Sequence, residues 1–240
     1  MMGAGSVLRT LERFLVPNAC VACERPVDES APDALVCSRC RWRMRVVVGG
    51  GGCSRCAQPL PLIGPCRFCQ ELPAALRWVR SAVWLDDEAR EVVHHLKYEG
   101  FSKLAPFAAA LISRNVARPG SGTLVPVPMA GPRERRRGYN QAALLAQALR
   151  VAWKLPLEPG LLARVGATDS QTALTPQARR ANVAGAFAAV MPGRAAVAPV
   201  IIVDDVLTTG ATIHAAAEAL ESAGWTDIGA VTFARALPVE

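Results

Sequence analysis

Residues 200–213 read Val-Ile-Ile-Val-Asp-Asp-Val-Leu-Thr-Thr-Gly-Ala-Thr-Ile, and no other stretch of the chain restricts its fold so tightly. The β-branched run at its start does not alternate with polar residues. The strand it forms must therefore be covered on both faces, as in a parallel sheet between helices. The run enters two carboxylates, Asp204 and Asp205, then a short loop of small and hydroxyl-bearing residues. An amphipathic helix follows, with Ile213, Ala216, Ala217 and Leu220 at core spacing. Backbone N–H groups, the hydroxyls of Thr208, Thr209 and Thr212, and the positive end of the helix then surround one small volume. That volume suits a phosphate monoester. The two acids stand about one sugar away, able to accept hydrogen bonds from two ribose hydroxyls. An ordinary strand and turn often carries one Asp and one Gly, but the whole series in this order is a narrower pattern. No Gly-Lys-Thr or Gly-Lys-Ser follows the glycine, which excludes a Walker-type loop.

From Trp78 onward the chain alternates strand and helix patterns. Strands are predicted over 77–85 and 123–127, near Leu157, near Phe187, over the acidic run and over 228–234. Helices are predicted over 87–98, 103–116 and 140–153, from Pro176, and after the acidic run. Residues 129–138 are predicted as a loop, and the stretch up to Thr175 as irregular. Such alternation gives an α/β fold, a mostly parallel sheet with helices on both faces. Its ligands sit at the carboxyl ends of the strands.

The amino-terminal part is different. All eight cysteines of the 240-residue chain lie between Cys20 and Cys69, in the Cys-x-x-Cys pairs Cys20/Cys23, Cys37/Cys40, Cys53/Cys56 and Cys66/Cys69. A two-residue gap lets both thiolates of a knuckle face one metal, and two knuckles close a tetrahedral Cys₄ zinc site. Four knuckles make two structural zinc sites. Sequential pairing is the simplest, and spacing alone does not exclude interleaved pairing. A disulfide framework needs an export signal, and residues 1–20 instead read as a short amphipathic helix interrupted by Arg9, Glu12 and Arg13. Residues 1–75 are too poor in apolar runs to bury a core, so metal is expected to hold them. The expected division is 1–75 and 76–240. No apolar run reaches membrane-spanning length, which predicts no membrane insertion and a cytoplasmic protein with reduced thiols.

The formal charge of +7 counts every cysteine as neutral. Each Zn(Cys)₄ site carries −2, so two sites lower it to +3. Arginines threaded among the knuckles offset those thiolates. Arg41, Arg43 and Arg45 alternate along one segment, a spacing that could track a nucleic-acid backbone. Arg133, Arg135, Arg136 and Arg137 follow the Val-Pro-Val-Pro run ending at Pro128, and dense positive charge there suits a pyrophosphate. Lys97, at the end of a predicted helix, is either a dipole-compensating cation or a second pyrophosphate contact. His94, His95 and His214 show no metal spacing. The polar stretch 167–175 is the candidate water-excluding lid.

The acidic run resembles the 5-phosphoribosyl-1-pyrophosphate (PRPP) signature of type I phosphoribosyltransferases. Leu96-Lys-Tyr, Pro126-Val-Pro128, Arg137-Gly-Tyr-Asn-Gln141, Gln171-Thr-x-Leu174, Arg179-x-x-Asn182 and Gly185-x-Phe187 stand in order with it. With the cysteine module, they make nearly the whole chain similar to the ComF/ComFC family. The resemblance implies a type I phosphoribosyltransferase-like domain preceded by a small double zinc ribbon, and a link to DNA uptake in natural competence. It implies that Asp204 and Asp205 hold the ribose hydroxyls, and that Thr208, Thr209, Gly210, Ala211 and Thr212 hold the 5′-phosphate. Arg137, and second to it Lys97, would face the pyrophosphate, with Mg²⁺ arriving on PRPP. Thr208 stands where 6-oxopurine transferases carry an Asp, which disfavours hypoxanthine or guanine as acceptor. Any hood over a base is expected from the zinc module or from residues near 76–100. Transfer of the phosphoribosyl group is one expectation. A non-catalytic accessory protein that handles single-stranded DNA alongside DNA-uptake proteins is another, and a PRPP-sensing regulator a third.

Overall fold

The computed structural model describes residues 19–27, 35–48, 52–61, 64–98, 100–165, 185–190 and 198–237. Its centre is a parallel sheet of β1 (Leu76–Trp84), β2 (Thr123–Pro126), β5 (Val200–Leu207) and β6 (Ile228–Arg235), in the spatial order β1-β6-β5-β2. Where a short strand was expected near Leu157, that residue makes only a single parallel bridge to Leu124 of β2. A separate antiparallel pair joins β3 (Leu162–Arg164) to β4 (Phe187–Ala189).

Alternation along the two central strands divides the core. Ile201, Val203, Val231 and Phe233 face one layer, with α3 (Asp87–Tyr98), α4 (Leu104–Asn115) and α6 (Gln141–Trp153). Val200, Ile202, Ile228 and Ala230 face the other, with α7 (Ala211–Ser222) and the β3/β4 pair. All eight residues of β6 are buried, as a central parallel strand requires. In α6, Ala142, Leu145, Ala146, Leu149 and Trp153 form the buried stripe at helical spacing.

The cysteine modules divide between the same two layers. Cys20, Val36, Cys40 and Met44, around α1 (Ser38–Arg43), join the core on the α3/α4 side. Cys56, Cys66 and Leu72, flanking α2 (Arg67–Gln70), join it on the α7 side. Between the modules, residues 45–47 run antiparallel along the outer edge of β1. The Val47 N–H donates to the Ala82 carbonyl (3.1 Å) and the Trp84 N–H to the Arg45 carbonyl (2.8 Å). A sheet edge is thereby covered by chain from the cysteine-rich part. Nearer the start of β1, the Val79 N–H donates to the Arg55 carbonyl (2.9 Å) and Arg55 Nε to the Leu76 carbonyl (2.8 Å).

Two further expectations change. Residues 129–138 are mostly helix, α5 (Gly131–Arg137), not loop. Pro132 presets φ in the first turn, where its missing N–H costs nothing, and Gly138 closes the end at φ 84°. The stretch predicted as irregular contains a 3₁₀ turn (Pro159–Leu161) and β3, which three residues of Leu-Ala-Arg do not announce. Arg41, Arg43 and Arg45 each make a contact within the molecule, while the Arg43 and Arg45 side chains stay more than half exposed. Arg41 donates to the Val36 carbonyl (2.8 Å) and stacks on Phe107, Arg43 pairs with Glu88 (2.8 Å), and Arg45 lies 4.0 Å from Asp86. The helix predicted over 1–20, the lid at 167–175, the helix from Pro176, Arg179 and Asn182 fall outside the described residues, apart from positions 19 and 20.

Candidate functional site

Asp204 and Asp205 sit on β5 near its carboxyl end, with exposures of 7% and 3%. The strand turns each acid back on the chain. Asp204 Oδ1 accepts from the Asp205 N–H (2.8 Å), and Asp205 Oδ1 from the Val206 N–H (3.0 Å). The other oxygen of Asp205 meets Lys97 Nζ at 2.7 Å. Lys97 is thus more than a cation at a helix end: α3 delivers it to the acidic pair. Burial pushes the Asp204 carboxyl well above the usual range, and the neighbouring Asp205 pushes it further, against the pull of Lys97. Burial alone would lower the Lys97 ammonium, but Asp205 and then Asp204 outweigh it and hold it above its ordinary value. Two acidic side chains and one lysine therefore crowd a poorly solvated spot, with Lys97 in contact with Asp205. Such a site favours a ligand that brings hydroxyl donors or a hard cation.

The segment Arg137-Gly-Tyr-Asn-Gln141 fastens three elements around this point. Arg137 ends α5, donates to Gln141 Oε1, and stacks on the Tyr98 ring (5.4 Å) beside Lys97. The Tyr139 hydroxyl donates to the Leu96 carbonyl (2.7 Å), tying the turn to the end of α3. Asn140 works in two directions. Its Oδ1 caps α6 by accepting from the Ala142 N–H (2.9 Å), and its Nδ2 donates to the Val127 carbonyl just past β2 (2.9 Å). The positions of Tyr139 and Asn140 as fasteners escaped the sequence reading. The available signal was an Asn directly before an apolar helical pattern, a usual N-cap. Arg133, Arg135 and Arg136 stand exposed on α5.

Beyond Leu207 the chain forms a three-residue bend, 208–210, before α7. Gly210 is the N-cap at φ 78°, and no side chain caps the helix. The opening amides of α7 thus lack intrahelical acceptors beside the half-buried Thr209 and Thr212, with Thr208 exposed. Thr209 Oγ1 makes a long contact with the Ala211 N–H (3.4 Å).

The eight cysteines gather into two groups, Cys20, Cys23, Cys37 and Cys40, and Cys53, Cys56, Cys66 and Cys69. The pairing is sequential, and the interleaved alternative falls away. Sulfurs stand 3.7 Å apart for Cys23 and Cys37, and 3.6 Å for both Cys53–Cys69 and Cys56–Cys66. Ligands at about 2.3 Å around tetrahedral zinc stand about 3.8 Å apart. A disulfide needs about 2.05 Å. The Cys37 N–H points at Cys20 Sγ (3.3 Å) and the Cys40 N–H at Cys37 Sγ (3.4 Å), donors that suit bound thiolates. Both groups could hold zinc in a closed sphere. Glu91, His94 and His95 also bring ligand atoms within 4.8 Å of one another, although the histidine spacing suggested no metal site. His95 Nδ1, however, already faces the Glu91 carbonyl at 2.9 Å.

Among the described residues, no helix is long and apolar enough to cross a membrane. The family model described as the phosphoribosyl transferase domain matches residues 135–237, the span that holds Arg137, the acidic pair and the bend into α7. The "DNA utilization protein YhgH" of Salmonella typhimurium is 31% identical over 85% of this chain and 91% of its own length. The "Competence protein ComFC" of Bacillus subtilis is 28% identical over 80% of both chains. "Competence protein F" of Haemophilus influenzae is 38% identical over 47% of this chain and 50% of its own. Sequential four-cysteine modules, a parallel sheet ending in paired aspartates and these relatives together make the chain a member of the ComF/ComFC family.

Proposed function

We propose that this protein binds PRPP with Mg²⁺ at the carboxyl end of β5 and transfers or holds its phosphoribosyl group in a process linked to DNA uptake. The observation that carries the reading is the buried Asp204–Asp205 pair, with Lys97 at 2.7 Å, standing directly before an uncapped helix start. Asp204 and Asp205 accept the ribose hydroxyls. The amides and hydroxyls from Thr208 to Thr212, through Thr209, Gly210 and Ala211, hold the 5′-phosphate. Arg137 and Lys97 face the pyrophosphate. Lys97 would exchange part of its contact with Asp205 for ligand oxygens. Mg²⁺ would meet ligand oxygens, waters and these hard carboxylates, and supply charge neutralisation at the leaving group. The protein's share in transfer is positioning and stabilisation of departing pyrophosphate by its two cations. We take residues 1–75 as the zinc-bearing domain and 76–240 as the phosphoribosyl domain.

The DNA context comes from the relatives, whose names speak of DNA utilization and competence. The exposed arginines of α5 favour a second reading, a surface for single-stranded DNA beside the same pocket. The deciding experiment is a pyrophosphate-release assay on zinc-loaded protein with PRPP, Mg²⁺ and a panel of nitrogenous bases, run beside a single-stranded DNA binding titration. Turnover that Asp204→Asn/Asp205→Asn abolishes, with DNA affinity unchanged, supports the transferase. Tight PRPP binding without release for any base leaves the sensor. Loss of DNA binding on changing Arg133, Arg135 and Arg136 to Gln, with PRPP affinity intact, supports the accessory role.

A further inference from the structure

The second cysteine module touches the bend into α7. A Cβ added at Gly210 would lie 2.4 Å from Phe68 Cε2 and 2.8 Å from its Cζ, so the phenyl ring lies flush against the Gly210 backbone. Phe68 belongs to α2, the four-residue helix that begins directly after Cys66 and contains Cys69. Its position is therefore set by two ligands of the second metal group.

The ring also meets Arg235, whose guanidinium lies 5.9 Å from it and 5.7 Å from the Trp84 ring. Arg235 is 2% exposed, donates to the Cys56 carbonyl and to Gln58 Oε1, and pairs in register with Leu207, the last residue before the bend. The Ala236 N–H donates to the Leu207 carbonyl (2.8 Å). Exit from β5 is thus walled by the end of β6 and by one aromatic ring of the second module. The first module packs on the opposite face of the sheet.

We infer that Phe68 is a positioning residue for the phosphate-binding bend, and that the 5′-phosphate subsite depends on an intact second cysteine module. The inference rests on reading that bend as a phosphate site. Gly210 meets two demands at once: its φ of 78°, and the absence of a Cβ where the ring seats. With the ring removed, the bend loses this packing surface, and its amides lose their preset direction. The pyrophosphate subsite stands apart from this contact, since Lys97 and Arg137 come from α3 and α5.

The test is calorimetric titration of ribose 5-phosphate, and separately of Mg-pyrophosphate, into zinc-loaded full-length wild type, Phe68→Ala and Phe68→Leu, with zinc content measured in each. Expected for Phe68→Ala is ribose 5-phosphate binding weakened by about tenfold, within the range that a small misplacement produces. Pyrophosphate binding should stay within about twofold and both metals should be retained. Phe68→Leu, which keeps apolar bulk against Gly210, should recover most of the loss, and it decides the matter if the alanine variant does not fold. Unchanged ribose 5-phosphate binding, or equal loss of both ligands, would overturn the inference, because general loosening does not discriminate between subsites. A wild type that binds neither ligand would overturn the phosphoribosyl reading itself, whereas wild-type binding with indifferent variants removes Phe68 alone.

Discussion

At the residue scale, the site is an electrostatic compromise centred on Asp204. Its carboxyl is raised above the usual range, first by burial and next by Asp205. A raised carboxyl holds its proton in the folded state, so its favourable share of stability is full below about pH 3.9, the unfolded value. That share is lost as pH climbs through the raised folded value. Asp204→Asn removes this dependence. The variant should therefore melt higher than wild type at neutral pH and show a flatter pH profile, while losing PRPP; thermal melts at several pH values check it. Lys97 behaves oppositely under mutation. Lys97→Met leaves Asp205 without its partner at 4% exposure and should cost toward the lower end of ~3–5 kcal/mol, because a quarter of the Lys97 side chain still reaches water. Denaturant unfolding measures that loss; a neutral result would mean that water already screens the pair.

At the element scale, the joint between β2, α3 and α6 is carried by Tyr139 and Asn140. Asn140→Ala removes a helix cap and the bond to the Val127 carbonyl, and should lower stability by about 1–2 kcal/mol, read by denaturant unfolding. How much of this was legible follows from the kind of signal each element carries. The strand at Val200, the helix over 87–98 and the carboxylate pair were readable, because unbroken β-branched runs and 3.6-residue periodicity are local properties. Helix α5 was hidden because four arginines in seven residues supply no apolar stripe, leaving only Pro132 and Gly138 as punctuation. Lys97's contact with Asp205 was neither of the two readings open to it, helix-end compensation or a pyrophosphate contact, since it depends on how α3 packs against β5, which no window of sequence reports. The sequential cysteine grouping was likewise open, because Cys-x-x-Cys spacing fixes a knuckle and not its partner. Phe68 against Gly210 is a contact across 142 positions, beyond any motif.

At the scale of the whole molecule, the cysteine-rich part is built into the sheet, with one module on each face and residues 45–47 covering the β1 edge. Removing metal should release that edge before the centre. On chelation, the Trp84 amide, which donates to the Arg45 carbonyl, should lose hydrogen-exchange protection while amides of β5 and β6 keep theirs. Equal loss throughout would mean that zinc supports the fold globally instead. The corrected charge belongs to this scale too: with two zinc sites the net charge is +3, and Arg41, Arg43 and Arg45 are engaged within the molecule. The most direct measurement of the central claim is calorimetric titration of PRPP with Mg²⁺ into zinc-loaded protein and into its Asp204→Asn/Asp205→Asn variant. The account predicts saturable one-site binding to the wild type and none to the variant. Equal binding to both, or none to either, would contradict it.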